Sequence, residues 1–201
     1  DPKKITDAQV IKNLSWEQME TLATQGAKVL HHKGAFLARK AKQDLVIRNT
    51  FSRDQEGSKI SSQFDFGVSL SHKEDHILCS LQTDCDSQLI TKVRSWLWQQ
   101  DENPSFCCQY ENKKTNLELV ISQKNYDKFV TEFSSFAKVS IIHKSVAVIS
   151  VVGDVNKFLS EIINSLKNPP LLLNVTDYCL LVIKMDDLDY NLKSLNRNLI
   201  K

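Results

Sequence analysis

Leu119-Val120-Ile121, followed by a polar turn and the amphipathic pattern of 126–133, recurs as Leu181-Val182-Ile183, followed by the pattern of 188–195. A β-rich triplet that twice hands over to an amphipathic helix marks a duplicated unit. Working outward, the first unit reads as a strand at 77–81, a helix at 89–98 and a strand at 106–110. The polar turn Glu111-Asn112-Lys113-Lys114, a strand at 117–122, the helix at 126–133 and a strand at 138–143 complete it. The second unit opens with Val146-Ala147-Val148-Ile149-Ser150-Val151-Val152. A helix at 155–166, strands at 171–175 and 180–184, and a helix from 188 to about 195 follow. Strand, helix, strand, strand, helix, strand is the split unit of ferredoxin-like folds. Units this small need cover for an open sheet face or edge, so the sheets are expected to pair within the chain or across a dimer.

The first third has helical periodicity. Ser15-Trp16-Glu17-Gln18 has the spacing of a capping box, and Met19, Leu22 and Ala23 continue it as an apolar face. Gly26 is suited to end that helix in the left-handed conformation. A second helix is expected at 28–42 with Val29, Leu30, Phe36, Leu37 and Ala41 on its buried side. A strand at 45–51, a polar turn at 52–59 and a short linker at 61–63 follow.

The chain has 201 residues, 41% of them hydrophobic and 25% charged, which suffices for packed cores. A net charge of +2 without a long run of one sign gives no footprint for nucleic acid. Apolar runs are strand-sized, too short for a membrane span. The start Asp1-Pro2-Lys3-Lys4, without methionine or signal peptide, suggests a cut fragment or processed product. The 5 cysteines fit no disulfide framework. Cys79 and Cys179 lie in apolar strands and Cys107-Cys108 are adjacent, which favours a reducing, cytoplasmic compartment. His72 and His76 with Cys79 and Cys85 match no zinc spacing, so no metal site is expected. Nor does any serine–histidine–acid set emerge. His31-His32 reads as helix packing. Trp96 and Trp98 cannot share a helix face, so at least one must face solvent or an interface.

Specific motifs add a family resemblance. Asp1-Pro2-Lys3, Leu14-Ser15-Trp16-Glu17-Gln18-Met19, Gly26-Ala27-Lys28-Val29-Leu30-His31, Val46-Ile47-Arg48-Asn49-Thr50-Phe51 and Gly57-Ser58-Lys59-Ile60 resemble, in order and spacing, the end of an aspartokinase (aspartate kinase) catalytic domain. Lys3 stands for the family's arginine, Glu56 for a proline, and His32 for another. The remainder is similar to the family's tandem ACT domains, Met185-Asp186-Asp187-Leu188-Asp189 resembling a late acidic turn. The implied fold is α+β: two ferredoxin-like ACT domains (βαββαβ) preceded by a helical remnant of the amino-acid kinase domain. Residues 1–60 would form the kinase edge and linker, 66–135 the first ACT-like domain and 136–201 the second. These boundaries are approximate, and one unit could be nested in the other.

The resemblance implies that the intact enzyme transfers the ATP γ-phosphoryl group to the side-chain carboxylate of L-aspartate, in lysine, threonine and methionine biosynthesis. Such transfer depends on positioning and charge neutralisation. The required glycine-rich loop is missing from this sequence, which has 5 glycines. Catalytic residues are therefore expected to be absent. ATP with Mg would serve the intact enzyme, and no cofactor is expected in this fragment. Lys3, Lys28 and Val29 align with nucleotide contacts. Asp84 and Gln109 align with effector contacts, although Thr83-Asp84-Cys85-Asp86-Ser87 lacks the family's Pro-Gly. Implied partners are a second copy, through the ACT domains, and lysine, threonine or methionine. The alternative is a free-standing ACT-type amino-acid-binding or dimerisation module without kinase function.

Overall fold

A computed structural model describes residues 4–51, 54, 56–62, 67–84, 87–102, 105–111 and 114–200, without the side chains of 87, 105–111 and 114. The fold is mixed α+β, with helices and two sheets. Its contacts divide into two units. Unit 1 comprises Asp1–His72, Ile149–Leu181 and Asp186–Lys201; unit 2 comprises Lys73–Val148 and Val182–Met185.

Unit 1 begins with β1 (Asn13–Ser15), α1 (Trp16–Thr24), α2 (His32–Ala41), β2 (Leu45–Ile47) and β3 (Ser58–Ser61). The strands form a sheet in the order β1-β3-β2, β3 running parallel to β1 and antiparallel to β2. Ser15 starts α1 as its sequence foretells. Its Oγ accepts from the Gln18 amide at 3.1 Å, and the Gln18 side chain accepts from the Ser15 amide at 3.0 Å. Leu14, Met19, Leu22, Ile60 and Val152 make the core of this region.

The helix expected at 28–42 starts later. The chain turns at 26–30 and α2 begins at His32, because the His31 imidazole takes the helix-start role, its Nδ1 accepting from the Lys33 amide at 3.3 Å. Ala35 is the buried residue of α2. Val29, Phe36 and Leu37, expected to be buried, are 59%, 38% and 62% exposed. The strand expected at 45–51 closes at Ile47, and Ser61, read as linker, ends β3.

The second sheet has six strands in the order β5-β6-β4-β7-β9-β8. Unit 2 carries its first βαββαβ succession: β4 (Val68–Asp84), α3 (Ser87–Gln99), β5 (Ser105–Glu111), β6 (Lys114–Ser122), α4 (Gln123–Phe133) and β7 (Lys138–Gly153). Alternation on the paired strands β4 and β6 sets Ile77 opposite Ile121, Cys79 opposite Leu119 and Leu81 opposite Leu117. These six pack with Leu89, Val93 and Leu97 of α3 and with Phe129 and Phe133 of α4. The spacing of four along each helix supplies one apolar stripe. Trp96 joins this core edge-on, 5.4 Å from the Phe129 ring, whereas Trp98 is 46% exposed, as their spacing requires.

Strands expected at 138–143 and 146–152 are one, β7, which enters both units. The chain continues with α5 (Leu159–Asn164), shorter than the helix expected at 155–166, and β8 (Leu172–Val175) in unit 1, then β9 (Tyr178–Lys184), which enters unit 2 after Leu181, a 3-10 turn (Met185–Asp187), and α6 (Leu188–Leu199) in unit 1. Leu188, Leu192, Leu195 and Leu199 form the buried stripe of α6.

Gly153 ends β7 at φ +134°, and a Cβ there would lie 2.0 Å from the Gly67 carbonyl oxygen. Gly153→Ala is expected to cost roughly 1–3 kcal/mol in urea unfolding. Gly34→Ala on α2, whose Cβ would meet Leu30 at an ordinary 3.7 Å, should instead gain about 0.5–1 kcal/mol. Equal effects at the two positions would contradict the close approach at Gly153.

Candidate functional site

The turn at 26–30 is built by the end of α1. The Ala27 amide donates to the Leu22 carbonyl at 2.9 Å and the Gly26 amide to the Ala23 carbonyl at 3.4 Å. With Gly26 at φ +103°, this is a Schellman termination, and Leu22 and Ala27 share the adjoining apolar cluster. The turn holds Lys28 and Val29 exposed, side by side. Lys3, the third nucleotide candidate, lies outside the described residues.

Just before this turn sits Gln25, 1% exposed. Its Nε2 donates to the Tyr178 hydroxyl of β9 at 2.9 Å. Its Oε1 accepts from Ser150 Oγ of β7 at 3.2 Å, and its carbonyl accepts from Ser71 Oγ of β4 at 3.2 Å. Burial pushes the Tyr178 phenol above its usual range, which keeps it a neutral donor and acceptor at neutral pH. None of these four was singled out in the sequence. The available signal was a serine inside the apolar run Val146-Ala147-Val148-Ile149-Ser150-Val151-Val152, since a buried hydroxyl demands a partner.

Asp84 and Gln109 fall in unit 2. Asp84 is exposed at the end of β4, in register with Lys114 of β6. Gln109 lies in β5, in register with Asn116 of β6. Asn116 is itself opposite Gln82, so the two candidates are two strands and two residues apart. At about 4.8 Å per strand and 3.4 Å per residue, their backbones stand roughly 12 Å apart.

Unit 2 also holds a charge cluster that sequence reading missed, with Glu102 buried and Lys73 and His76 half-buried. Glu102, 9% exposed, follows α3 and faces the start of α4. Its Oε1 accepts from Asn125 Nδ2 at 2.7 Å and, at close range, from Ser122 Oγ. A carboxylate there also meets the positive end of α4. Burial lowers the Lys73 ammonium to about 8, against the pull of Glu102. Burial likewise lowers His76, opposed by its 2.6 Å hydrogen bond to the Glu74 carbonyl and by Glu102 and Asp75, and reinforced by Lys73.

The acidic turn at 185–189 has a structural use. Asp187, its side chain 8% exposed, binds Lys167 Nζ and Asn168 Nδ2, each at 3.0 Å, and so fastens the segment after α5 to the start of α6. Among the described residues no cluster of histidine, cysteine and carboxylate could hold a metal, and Cys85 lies outside them. Cys79 and Cys179 are free and buried, their thiols pushed up to about 12 and 11. Both are poor nucleophiles, as expected for small core hydrophobes. No helix among the described residues is long and apolar enough to cross a membrane.

The Lys73 environment has a definite pH signature. Below about pH 8 folded and unfolded chains both hold the Lys73 proton, and the full cost of burying it opposes folding. Between about 8 and 10.5 the folded chain has shed that proton and the unfolded chain has not, so this contribution to stability rises with pH. The rise is at most roughly 3 kcal/mol. The buried thiols act in the opposite sense above pH 9, so the difference between wild type and Lys73→Met isolates the effect. Urea unfolding at pH 7, 8.5 and 10 should show wild type gaining on the variant as pH rises. A constant difference would contradict the buried-ammonium assignment.

Comparison with known proteins fits this organisation. The amino acid kinase family model matches residues 1–49. The aspartokinase of Chlamydia pneumoniae is 29% identical over 164 residues, covering 77% of this chain and 37% of that protein. E. coli aspartokinase III, solved with lysine and aspartate in its T-state, superposes with a TM-score of 0.74 at 16% identity, covering 100% of this chain and 49% of that one. The ligand-free regulatory subunit of Thermus thermophilus aspartate kinase gives 0.50 at 10% identity, covering 66% of this chain and 96% of that subunit. This chain thus spans well under half the length of the curated relative, and it is a homologue of the aspartokinases.

Proposed function

We propose that the chain is the C-terminal regulatory region of an aspartokinase, serving dimerisation and allosteric amino-acid sensing. The intact form would transfer the ATP γ-phosphoryl group, with Mg, to the side-chain carboxylate of L-aspartate. The observation that carries this reading is the order of parts. An amino-acid-kinase match at 1–49 runs directly into a duplicated ferredoxin-like region, and a regulatory subunit of the same enzyme class shares that fold. Residues 1–60 are assigned to the kinase edge, 66–135 to the first ACT-like domain and 136–201 to the second, with β7 serving both. Lys28 and Val29, with Lys3, would touch nucleotide in the intact enzyme. Asp84 would hold an effector's ammonium group and Gln109 its carboxylate or ammonium, the effector being lysine, threonine or methionine.

The Coulombic hold of an exposed carboxylate on an ammonium is modest, so Asp84 must act with hydrogen bonds from its surroundings. Calorimetric titration with L-lysine, L-threonine and L-methionine should show saturable binding of one of them. Asp84→Ala should weaken it by about tenfold or more, the loss expected of a charge-assisted hydrogen bond. Sedimentation should give twice the chain mass. A monomer that binds none of the three amino acids would refute the proposal.

A further inference from the structure

We propose that Gln25 is a coupling residue through which strands β4, β7 and β9 set the position of the turn at 26–30. The geometry carries the inference. At the last residue before that turn, one buried side chain and its carbonyl make three hydrogen bonds to three different strands: Nε2 donates to Tyr178 of β9, Oε1 accepts from Ser150 of β7, and the carbonyl accepts from Ser71 of β4. Each of those strands also runs on into unit 2: β4 beyond His72, β7 before Ile149 and β9 beyond Leu181. A displacement of any of the three along its length therefore reaches Gln25 through covalently continuous backbone. Because β4, β7 and β9 are neighbours in one sheet, Gln25 follows them when they move together and loses a bond when one shifts against the others.

A polar joint transmits such a displacement differently from an apolar one. Apolar side chains slide past one another with little change in energy, whereas a buried amide that loses a partner strands a donor or acceptor. The joint is thus discrete: made or broken. Gly26, at φ +103°, is the next residue, so the turn inherits its starting point directly from the joint. Resting on the regulatory reading above, this makes Gln25 a positioning residue for Lys28 and Val29. Movement of the sheet would alter nucleotide contact at the turn without any effector approaching it.

The test uses the full chain in solution. Tyr178→Phe and Ser150→Ala each remove one hydroxyl while keeping the strand side chain's bulk. Exchange of the Gly26 and Ala27 amides, which donate to the Ala23 and Leu22 carbonyls, should accelerate about fivefold in each variant when followed by NMR, with the α3 and α4 amides unchanged. Gln25→Leu combined with Tyr178→Phe and Ser150→Ala leaves no stranded polar group. It should recover most of the lost stability and yet leave the turn fast, which a merely structural role would not produce. Unchanged exchange at the turn, or recovery of its protection along with stability in the triple variant, would overturn the coupling. The exchange result is separate from the nucleotide role, which belongs to the intact enzyme. Faster exchange at the turn supports the joint whether or not this chain binds Mg-ATP, and saturable binding of none of the three amino acids counts against the regulatory reading alone.

Discussion

Seven consecutive residues of β7, Val146 to Val152, are each 3% exposed or less, and that burial dictates what must flank the strand. A strand buried on both faces cannot leave an amide or carbonyl to water, so it must have a neighbour along each edge. β4 and β9 are those neighbours. Each apolar side chain buried there contributes roughly 1.5–3 kcal/mol, a large sum for a chain of this size. The same requirement explains why β7 is one strand of sixteen residues rather than two: breaking it between 143 and 146 would open unpaired backbone within the sheet.

Against that apolar background the polar side chains that persist inside have identifiable work. Ser150 interrupts the run to reach Gln25. Glu102 takes the amide of Asn125 and the hydroxyl of Ser122 at the start of α4, so the end of one helix is tied to the beginning of the next. Asp187 fastens Lys167 and Asn168 beside α6. Three interior polar groups thus tie elements distant in sequence, and each ties a helix. Such bonds add specificity more than net stability, since their geometry excludes alternatives that greasy contact would tolerate.

Much of the fold was legible in the sequence, and the reason is periodicity. Alternation at 77–81 and 117–122, the fourfold spacing of Leu89, Val93 and Leu97, and the box at Ser15 and Gln18 each encode a local geometry that packing then uses. Errors fell where local pattern competes with tertiary contact. Phe36 and Leu37 read as a buried face, but α2 meets its neighbour through Ala35. Ser61 read as linker, yet pairs with Ser15 in the first sheet. The site was less legible. Lys28 and Val29 form an exposed turn that resemblance, not spacing, marks. Gln25, Tyr178 and Glu102 carry no local signature, because their partners lie 20 to 153 residues away.

The organising role of β7 can be tested by native-state hydrogen exchange across a urea series. Amides from Val146 to Val152, with their partners in β4, should be among the slowest and exchange only through global unfolding. Helices α1 and α2 should open first, at lower free energy. If β7 instead exchanges through a low-energy local opening while α1 and α2 remain protected, the strand does not hold the fold together and this account fails.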